Sequence, residues 1–231
     1  MRTLHWALAI AASLALTPAM AAESGDAGHS DGMQANLEAG KALVTKGNPD
    51  NPMVMACQSC HGAEGKGNPN AKFPRLAGQN VDYMMKQLKD FAAGDRANYP
   101  TMTNIAKGLS EEDMKNVSAY YAQKDVSISG ADASEDVLAM GERIANVGVS
   151  EKNVPACTSC HGPKGQGVPP VFPAIAGQHA SYIEKQINDW EAGNRANDPA
   201  NMMTEIAPKL TDEQLKAVAA YFSNVDAASS N

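Results

Sequence analysis

An internal repeat constrains the fold of this chain more than any other feature. Four segments recur in the second half at an offset of 99 to 101 residues: Cys57–Gly62 as Cys157–Gly162, Phe73–Gln79 as Phe172–Gln178, Gly94–Asn98 as Gly193–Asn197, and Leu109–Tyr121 as Leu210–Phe222. Self-similarity at a fixed period indicates that one structural unit has been duplicated. The 231 residues therefore contain two copies of one domain of roughly 90 residues.

The ends of the chain and the segment between the copies differ from the copies in composition. Arg2, the apolar run Trp6–Leu16 and the small residues of Ala19–Ala21 predict an export signal peptide at residues 1–21. The apolar run is too short to span a bilayer, which argues against the alternative of a retained membrane anchor. Small and polar residues predict a flexible leader at 22–34, a linker at 127–134 and a tail at 227–231. The copies then extend over residues 35–126, the first repeat, and residues 135–226, the second repeat.

Both repeats are predicted to be helical, because no segment alternates with the period of a strand. Apolar residues at helical spacing predict two helices in each repeat, near 36–45 and 81–93 in the first and near 136–146 and 180–192 in the second. Ser110 and Thr211 begin capping boxes that predict a last helix in each repeat. Gly40 and Gly141 lie inside the first helices, where glycine is unfavourable, so we expect another helix to cross closely there. The fold class is therefore all-α.

The charge of the chain excludes one class of partner and suggests how another is recognised. The net charge is -7, so the clustered positive charge that holds a nucleic acid is missing. The first repeat has 11 basic and 10 acidic residues, whereas the second has 7 basic and 12 acidic residues. This asymmetry predicts a dipole that could orient the molecule on a charged protein.

All four cysteines lie in two C-x-x-C-H motifs, Cys57–His61 and Cys157–His161. Two structural disulfides are possible in an exported chain, but they give no reason for a histidine to follow in both copies. A zinc site needs two ligand pairs about 12 to 20 residues apart, whereas these pairs are a whole domain apart. Covalent heme explains every residue, because Cys57 and Cys60, or Cys157 and Cys160, can add to one porphyrin while the next histidine ligates the iron. The sequence thus predicts two covalently bound heme c groups, which would also fill cores that are poor in aromatic residues.

Methionine is the natural sixth ligand of each iron. The first repeat contains no histidine besides His61, so a second histidine ligand is excluded there unless the leader folds in. Met102 lies 41 residues after His61, and Met203 lies 42 residues after His161, each within an M-T-x-I-A sequence. The axial pairs are therefore predicted to be His61 with Met102 and His161 with Met203.

Two further residues of the second repeat could compete for a ligand role. Met202 is the alternative to Met203, although the alignment of the repeats favours Met203. His179 aligns with Asn80, so we expect a surface histidine rather than a ligand.

The surroundings of the axial histidines can also be predicted. A ligating imidazole donates a hydrogen bond from its other ring N–H to an acceptor. Pro74 and Pro173 follow the histidines by 13 and 12 residues and leave a backbone carbonyl free, although they could instead merely turn the chain. Leu76 and Ile175 would then line the porphyrin face and keep water from the iron.

These motifs together resemble the diheme cytochrome c4 family, in which two class I cytochrome c domains stand in tandem. The resemblance is carried by the two C-x-x-C-H motifs, the F-P-x-[LI]-A-G-Q segments, and the M-T-x-I-A sequence before a helix that ends in Tyr120-Tyr121 or Tyr221-Phe222. It implies, as the motifs do, thioether bonds at Cys57, Cys60, Cys157 and Cys160, and the axial pairs His61 with Met102 and His161 with Met203. It also implies periplasmic electron delivery, often at the membrane surface, from a quinol:cytochrome c reductase towards a heme-copper terminal oxidase of the respiratory chain.

The predicted ligands favour electron transport over catalysis. An iron with both axial positions filled has no open position for peroxide or dioxygen, and a thioether ligand favours Fe(II). The chain is therefore predicted to be a carrier and not an enzyme. A diheme peroxidase, in which one iron loses its sixth ligand, and a cytochrome subunit bound to a flavin or quinone dehydrogenase are the alternatives.

Overall fold

The computed structural model describes residues 34–126, 128 and 130–226. The predicted signal peptide, the predicted leader up to residue 33, the predicted tail and residues 127 and 129 of the predicted linker lie outside the described residues. The described residues from Ala35 to Asp226 form one unit that includes both repeats. None of the helices described is long and apolar enough to cross a membrane.

The first repeat folds into helices around a small apolar core. The helices are α1 (Leu37–Lys46), α2 (Gln58–His61), α3 (Val81–Ala93), α4 (Pro100–Lys107) and α5 (Glu111–Ala122). The predicted capping box at the start of α5 is confirmed, since Ser110 Oγ accepts the Asp113 N–H at 3.0 Å and the Asp113 carboxylate accepts the Ser110 N–H at 3.0 Å. Val44, Met84, Val117 and Tyr121 bring α1, α3 and α5 together in the core.

The second repeat has the same order of helices, with short 3-10 turns in the connections. The helices are α6 (Glu135–Val147), α7 (Thr158–His161), α8 (Ala180–Glu191), α9 (Met202–Ile206) and α10 (Asp212–Asn224), and the turns are Ser150–Lys152, Pro199–Asn201 and Ala207–Lys209. Thr211 and Gln214 form the predicted capping box of α10. Isolated β-bridges occur in the described residues, but no strand does, so the all-α prediction is confirmed.

Glycine allows the first and last helices of each repeat to cross closely. A Cβ atom on Gly40 would lie 2.3 Å from the carbonyl oxygen of Asn116 in α5. A Cβ atom on Gly141 would lie 2.1 Å from the carbonyl oxygen of Ala217 in α10. Both distances are far below van der Waals contact with a rigid backbone atom, which confirms the predicted reason for glycine inside these helices.

Polar contacts join the two repeats, and one of them corrects a prediction. His179 is only 6 % exposed, and its Nε2 lies 2.8 Å from the Lys66 carbonyl oxygen of the first repeat. Its predicted place on the surface is therefore wrong. The alignment with Asn80 considers each repeat alone, whereas the burial of His179 comes from the neighbouring repeat.

Candidate heme sites

Each C-x-x-C-H motif folds into one helical turn, α2 or α7, at the wall of an apolar cavity. The cavity is continuous between the repeats and is lined by residues of both. Every residue assigned to heme from the sequence lines it: Cys57, Cys60, His61, Pro74, Leu76 and Met102 in the first repeat, and Cys157, Cys160, His161, Pro173, Ile175 and Met203 in the second. The fold therefore brings together both sets of predicted heme residues around one space.

The two histidines are held by the backbone carbonyls that the prolines supply. His61 Nδ1 lies 3.1 Å from the Pro74 carbonyl oxygen, and His161 Nδ1 lies 2.9 Å from the Pro173 carbonyl oxygen. Since a carbonyl can only accept, each Nδ1 donates its hydrogen and the lone pair of Nε2 is free to bind a metal. Burial lowers the pKa of both histidines and so favours the neutral form that ligates iron.

The sulfur of the first cysteine in each motif is in an environment that disfavours charge. Burial raises the pKa of Cys57 to about 11 and that of Cys157 to about 11. Both thiols are therefore neutral at pH 7. A thioether carries no charge either, so the bonds formed by heme attachment suit this apolar wall.

The two predicted methionines lie on short helices that the sequence pattern does not predict. Met102 is in the first turn of α4, and Met203 is in α9. Met202 also lines the cavity, so it remains the alternative ligand in the second repeat. Met84 lines the cavity as well, but it packs in the apolar core of the first repeat.

A carboxylate holds the backbone next to Met203, and the first repeat lacks this device. Asp198 accepts hydrogen bonds from the Met203 N–H at 2.7 Å, the Thr204 N–H at 2.9 Å and the Thr204 hydroxyl at 2.7 Å. Although burial opposes ionisation, these hydrogen bonds lower the pKa of Asp198. At the equivalent point of the first repeat, the Tyr99 carbonyl oxygen accepts the Thr103 N–H at 3.1 Å. The backbone at Met203 is thus anchored by a charged acceptor, whereas the backbone at Met102 is not.

We expect Asp198→Ala to loosen the sulfur of Met203 without affecting Met102. The affinity of added imidazole for the iron of the second repeat should rise about tenfold, because less anchoring opposes displacement of the sulfur. Thr204→Ala removes one of the same hydrogen bonds and should give a smaller rise. A spectroscopic titration that shows equal imidazole affinity in wild type and Asp198→Ala would contradict this role.

Two buried arginines line the cavity where the repeats meet. Arg96 is 3 % exposed and Arg195 is 4 % exposed. Arg96 donates to the side-chain oxygens of Gln87 at 2.8 Å and Gln186 at 2.7 Å, and Arg195 donates to the same two oxygens at 3.0 and 2.8 Å. Their other acceptors among the described residues are neutral tyrosine and asparagine oxygens: Asn98 and Tyr182 for Arg96, Asn197 and Tyr83 for Arg195. Burial, and after it the charge of Arg96, lowers the pKa of Arg195.

This cluster fits a ligand that brings its own negative charge. A buried charge is costly unless an opposite charge lies nearby, and neither guanidinium bonds to a carboxylate within the described part of the chain. The Gln186 Nε2 and Ser118 Oγ atoms, on side chains that line the same cavity, are buried without a hydrogen-bond partner among the described residues. Heme supplies both the apolar bulk for the cavity and propionate carboxylates for the arginines. The residues present therefore fit two covalently bound heme c groups.

Comparison with known proteins agrees with this geometry. The family model described as Cytochrome c matches residues 37–123 and 150–226, once in each repeat. The chain is 42 % identical over 226 residues to the thiosulfate dehydrogenase electron acceptor of Stutzerimonas stutzeri (strain A1501), covering 97 % of both chains. It is also similar to the structure of reduced recombinant cytochrome c4 from Pseudomonas stutzeri, with 33 % identity and a TM-score of 0.72, covering 84 % of this chain and 100 % of that one.

A further solved structure is similar over part of its length. The thiosulfate dehydrogenase from Marichromatium purpuratum shares 35 % identity with a TM-score of 0.77 over 84 % of this chain, which spans only 41 % of that protein. From the duplicated sites and these matches, we conclude that the chain belongs to the cytochrome c family and, within it, to the diheme electron carriers of the cytochrome c4 type.

Proposed function

We propose that this chain is exported to the periplasm, loses residues 1–21, and carries electrons between respiratory proteins. In this proposal His61 and Met102 ligate one iron, and His161 and Met203 ligate the other. The observation that carries the proposal is the single cavity, into which both repeats present the same set of thiols, imidazole and thioether.

Each group of residues has a separate task in this proposal. The cysteines fix the heme covalently, and the Pro74 and Pro173 carbonyls orient the imidazoles through Nδ1. Leu76 and Ile175 keep water from the iron, and Arg96 and Arg195 balance the charge of the propionates. Heme, when bound, supplies an iron that alternates between Fe(III) and Fe(II).

We place the carrier between a quinol:cytochrome c reductase and a heme-copper terminal oxidase, as a periplasmic protein that could associate with the membrane surface. The nearly neutral first repeat and the acidic second repeat offer different surfaces to the donor and the acceptor. Docking that depends on this charge should weaken as salt screens it.

A second candidate function is supported by the relatives whose names refer to thiosulfate dehydrogenase. The Stutzerimonas stutzeri relative, similar over nearly its whole length, is an electron acceptor of thiosulfate dehydrogenase. A thiosulfate dehydrogenase could therefore replace the quinol:cytochrome c reductase as the donor to this chain.

Anaerobic stopped-flow measurements on the oxidised protein test both functions. We expect the reductase with its quinol to reduce both hemes, and the oxidised form of the oxidase, mixed with the reduced protein, to accept their electrons. Both rates should fall as ionic strength rises. Reduction by thiosulfate dehydrogenase with thiosulfate, but not by the reductase, would favour the second candidate. Failure of both donors, or rapid turnover of peroxide, would contradict the carrier.

A further inference from the structure

Two buried glutamines connect each repeat to the backbone of the other. Gln178 Oε1 accepts the Arg75 N–H at 2.9 Å, and Gln178 Nε2 donates to the Arg75 carbonyl oxygen at 3.0 Å. Gln79 makes the same pair with Ala174, at 2.9 Å to its N–H and 2.8 Å to its carbonyl oxygen. Gln79 is 5 % exposed and Gln178 is 4 % exposed. Each side-chain amide therefore holds one residue of the opposite repeat by both of its backbone groups.

The residue that is held lies next to the proline that binds the axial histidine. The Pro74 carbonyl and the Arg75 N–H belong to one peptide group, because they lie on either side of the same C–N bond. On one side this peptide accepts the His61 Nδ1–H, and on the other it donates to Gln178. In the second repeat, the Pro173–Ala174 peptide accepts from His161 and donates to Gln79.

A hydrogen bond at one end of a peptide group strengthens the bond at its other end. Donation from the N–H shifts electron density to the carbonyl oxygen, which becomes a better acceptor. A stronger acceptor at Nδ1 makes the imidazole a more basic ligand, and a more basic ligand stabilises Fe(III) relative to Fe(II).

We propose that Gln79 and Gln178 are positioning residues that set the reduction potential of the heme in the opposite repeat. Gln178 acts on the heme of His61 and Gln79 on the heme of His161. This inference rests on the proposed histidine ligation, and it gives the interface between the repeats a role in tuning the two irons as well as in holding the repeats together.

The two connections differ in how firmly the held segment is fixed by other means. The Arg75 guanidinium also donates to the carbonyl oxygens of Gly177 at 3.0 Å and Ala176 at 2.6 Å, both in the second repeat. Ala174 has no side chain that could do the same. Loss of Gln79 should therefore disturb the heme of the second repeat more than loss of Gln178 disturbs the heme of the first.

The test replaces each glutamine by methionine, which is similar in length but cannot form the two hydrogen bonds. We expect Gln178→Met to shift the Fe(III)/Fe(II) equilibrium of the first heme about threefold towards Fe(II). At 59 mV per tenfold for one electron, this is a rise of about 28 mV. Gln79→Met should raise the potential of the second heme by at least as much. The potentials are measured on the complete diheme protein, with NMR signals assigned to each heme.

The crossed pattern separates tuning from mere loosening of the interface. Ser181→Ala removes another bond between the repeats, from Ser181 Oγ to the Pro69 carbonyl oxygen at 2.7 Å, and should leave both potentials unchanged. Equal shifts of both hemes in either variant, shifts confined to the repeat that carries the substitution, or no shift would overturn the proposal.

Two controls keep the outcome of this experiment interpretable. If Gln178→Met fails to fold, Gln178→Glu is the second variant, since its carboxylate, when ionised, is a stronger acceptor for the Arg75 N–H than the amide oxygen. The potential of the first heme should then fall, and by more than that of the second. Intact mass and the absorption band that reports sulfur ligation show whether the hemes and their ligands are present. Absence of the hemes or of sulfur ligation from the wild-type protein would count against the proposed function. Glutamine variants that keep the wild-type ligation and the wild-type potentials would count against the role of the glutamines alone.

Discussion

Met203→Leu is expected to remove the sulfur ligand from one iron and to lower its reduction potential by on the order of 0.1 V. Leucine has nearly the volume of methionine, so the helical turn α9 should persist. The weak long-wavelength band that reports sulfur ligation in the oxidised protein should fall to half its intensity. The reason is that thioether sulfur favours Fe(II), and leucine offers the iron no electron pair.

Met202→Leu is the matched control for this experiment, because Met202 precedes Met203 and lines the same cavity. It should leave the band and both potentials close to wild type. Met102→Leu should reproduce the effect of Met203→Leu in the first repeat. Loss of half the band in Met202→Leu, with none lost in Met203→Leu, would transfer the ligand role to Met202.

Replacing Cys57 and Cys60 together by serine is expected to remove one heme and much of the stability of the first repeat. Serine forms no thioether, so heme is no longer retained in this repeat. The apolar cavity then loses its contents, and we expect the unfolding free energy of the first repeat to fall by on the order of 5 kcal/mol. Heme content from alkaline pyridine spectra should be one per chain, and thermal unfolding should begin at a lower temperature.

Ser59→Ala is the control for the cysteine variant, since Ser59 is exposed and lies between the two cysteines. It should keep two hemes per chain and near wild-type stability. Two hemes retained after denaturation in the double serine variant would show that the attachment does not use these thiols.

The comparison of the repeats predicted much of the fold, because each local signal appears twice. The capping boxes at Ser110 and Thr211 and the close crossings at Gly40 and Gly141 depend on contacts within one repeat, and the structure confirms them. The helix α4 was not predicted, since its eight residues are fewer than the roughly 11 to 18 over which helical periodicity is recognised.

The residues at the interface between the repeats were harder to predict. Arg96, Arg195, Gln79 and Gln178 recur in register, and this recurrence of polar residues was the available signal. Periodicity reports which face of a helix is buried but not which partner buries it, so the docking of one repeat on the other could not be derived. His179 was misplaced for this reason.

The anchor of Met203 was missed for a different reason. Asp198 lies where the second repeat has gained two residues relative to the first. The alignment of the repeats therefore places no carboxylate of the first repeat opposite it. Its role depends on the turn at Pro199–Asn201, which carries the chain back so that Asp198 reaches the N–H groups of Met203 and Thr204.

The most direct test of two covalently held hemes is the intact mass of the exported protein under denaturing conditions. We expect the mass of residues 22–231 plus two heme groups, since thioether bonds survive unfolding. A mass that corresponds to the polypeptide alone, or to the polypeptide with two disulfides, would contradict it.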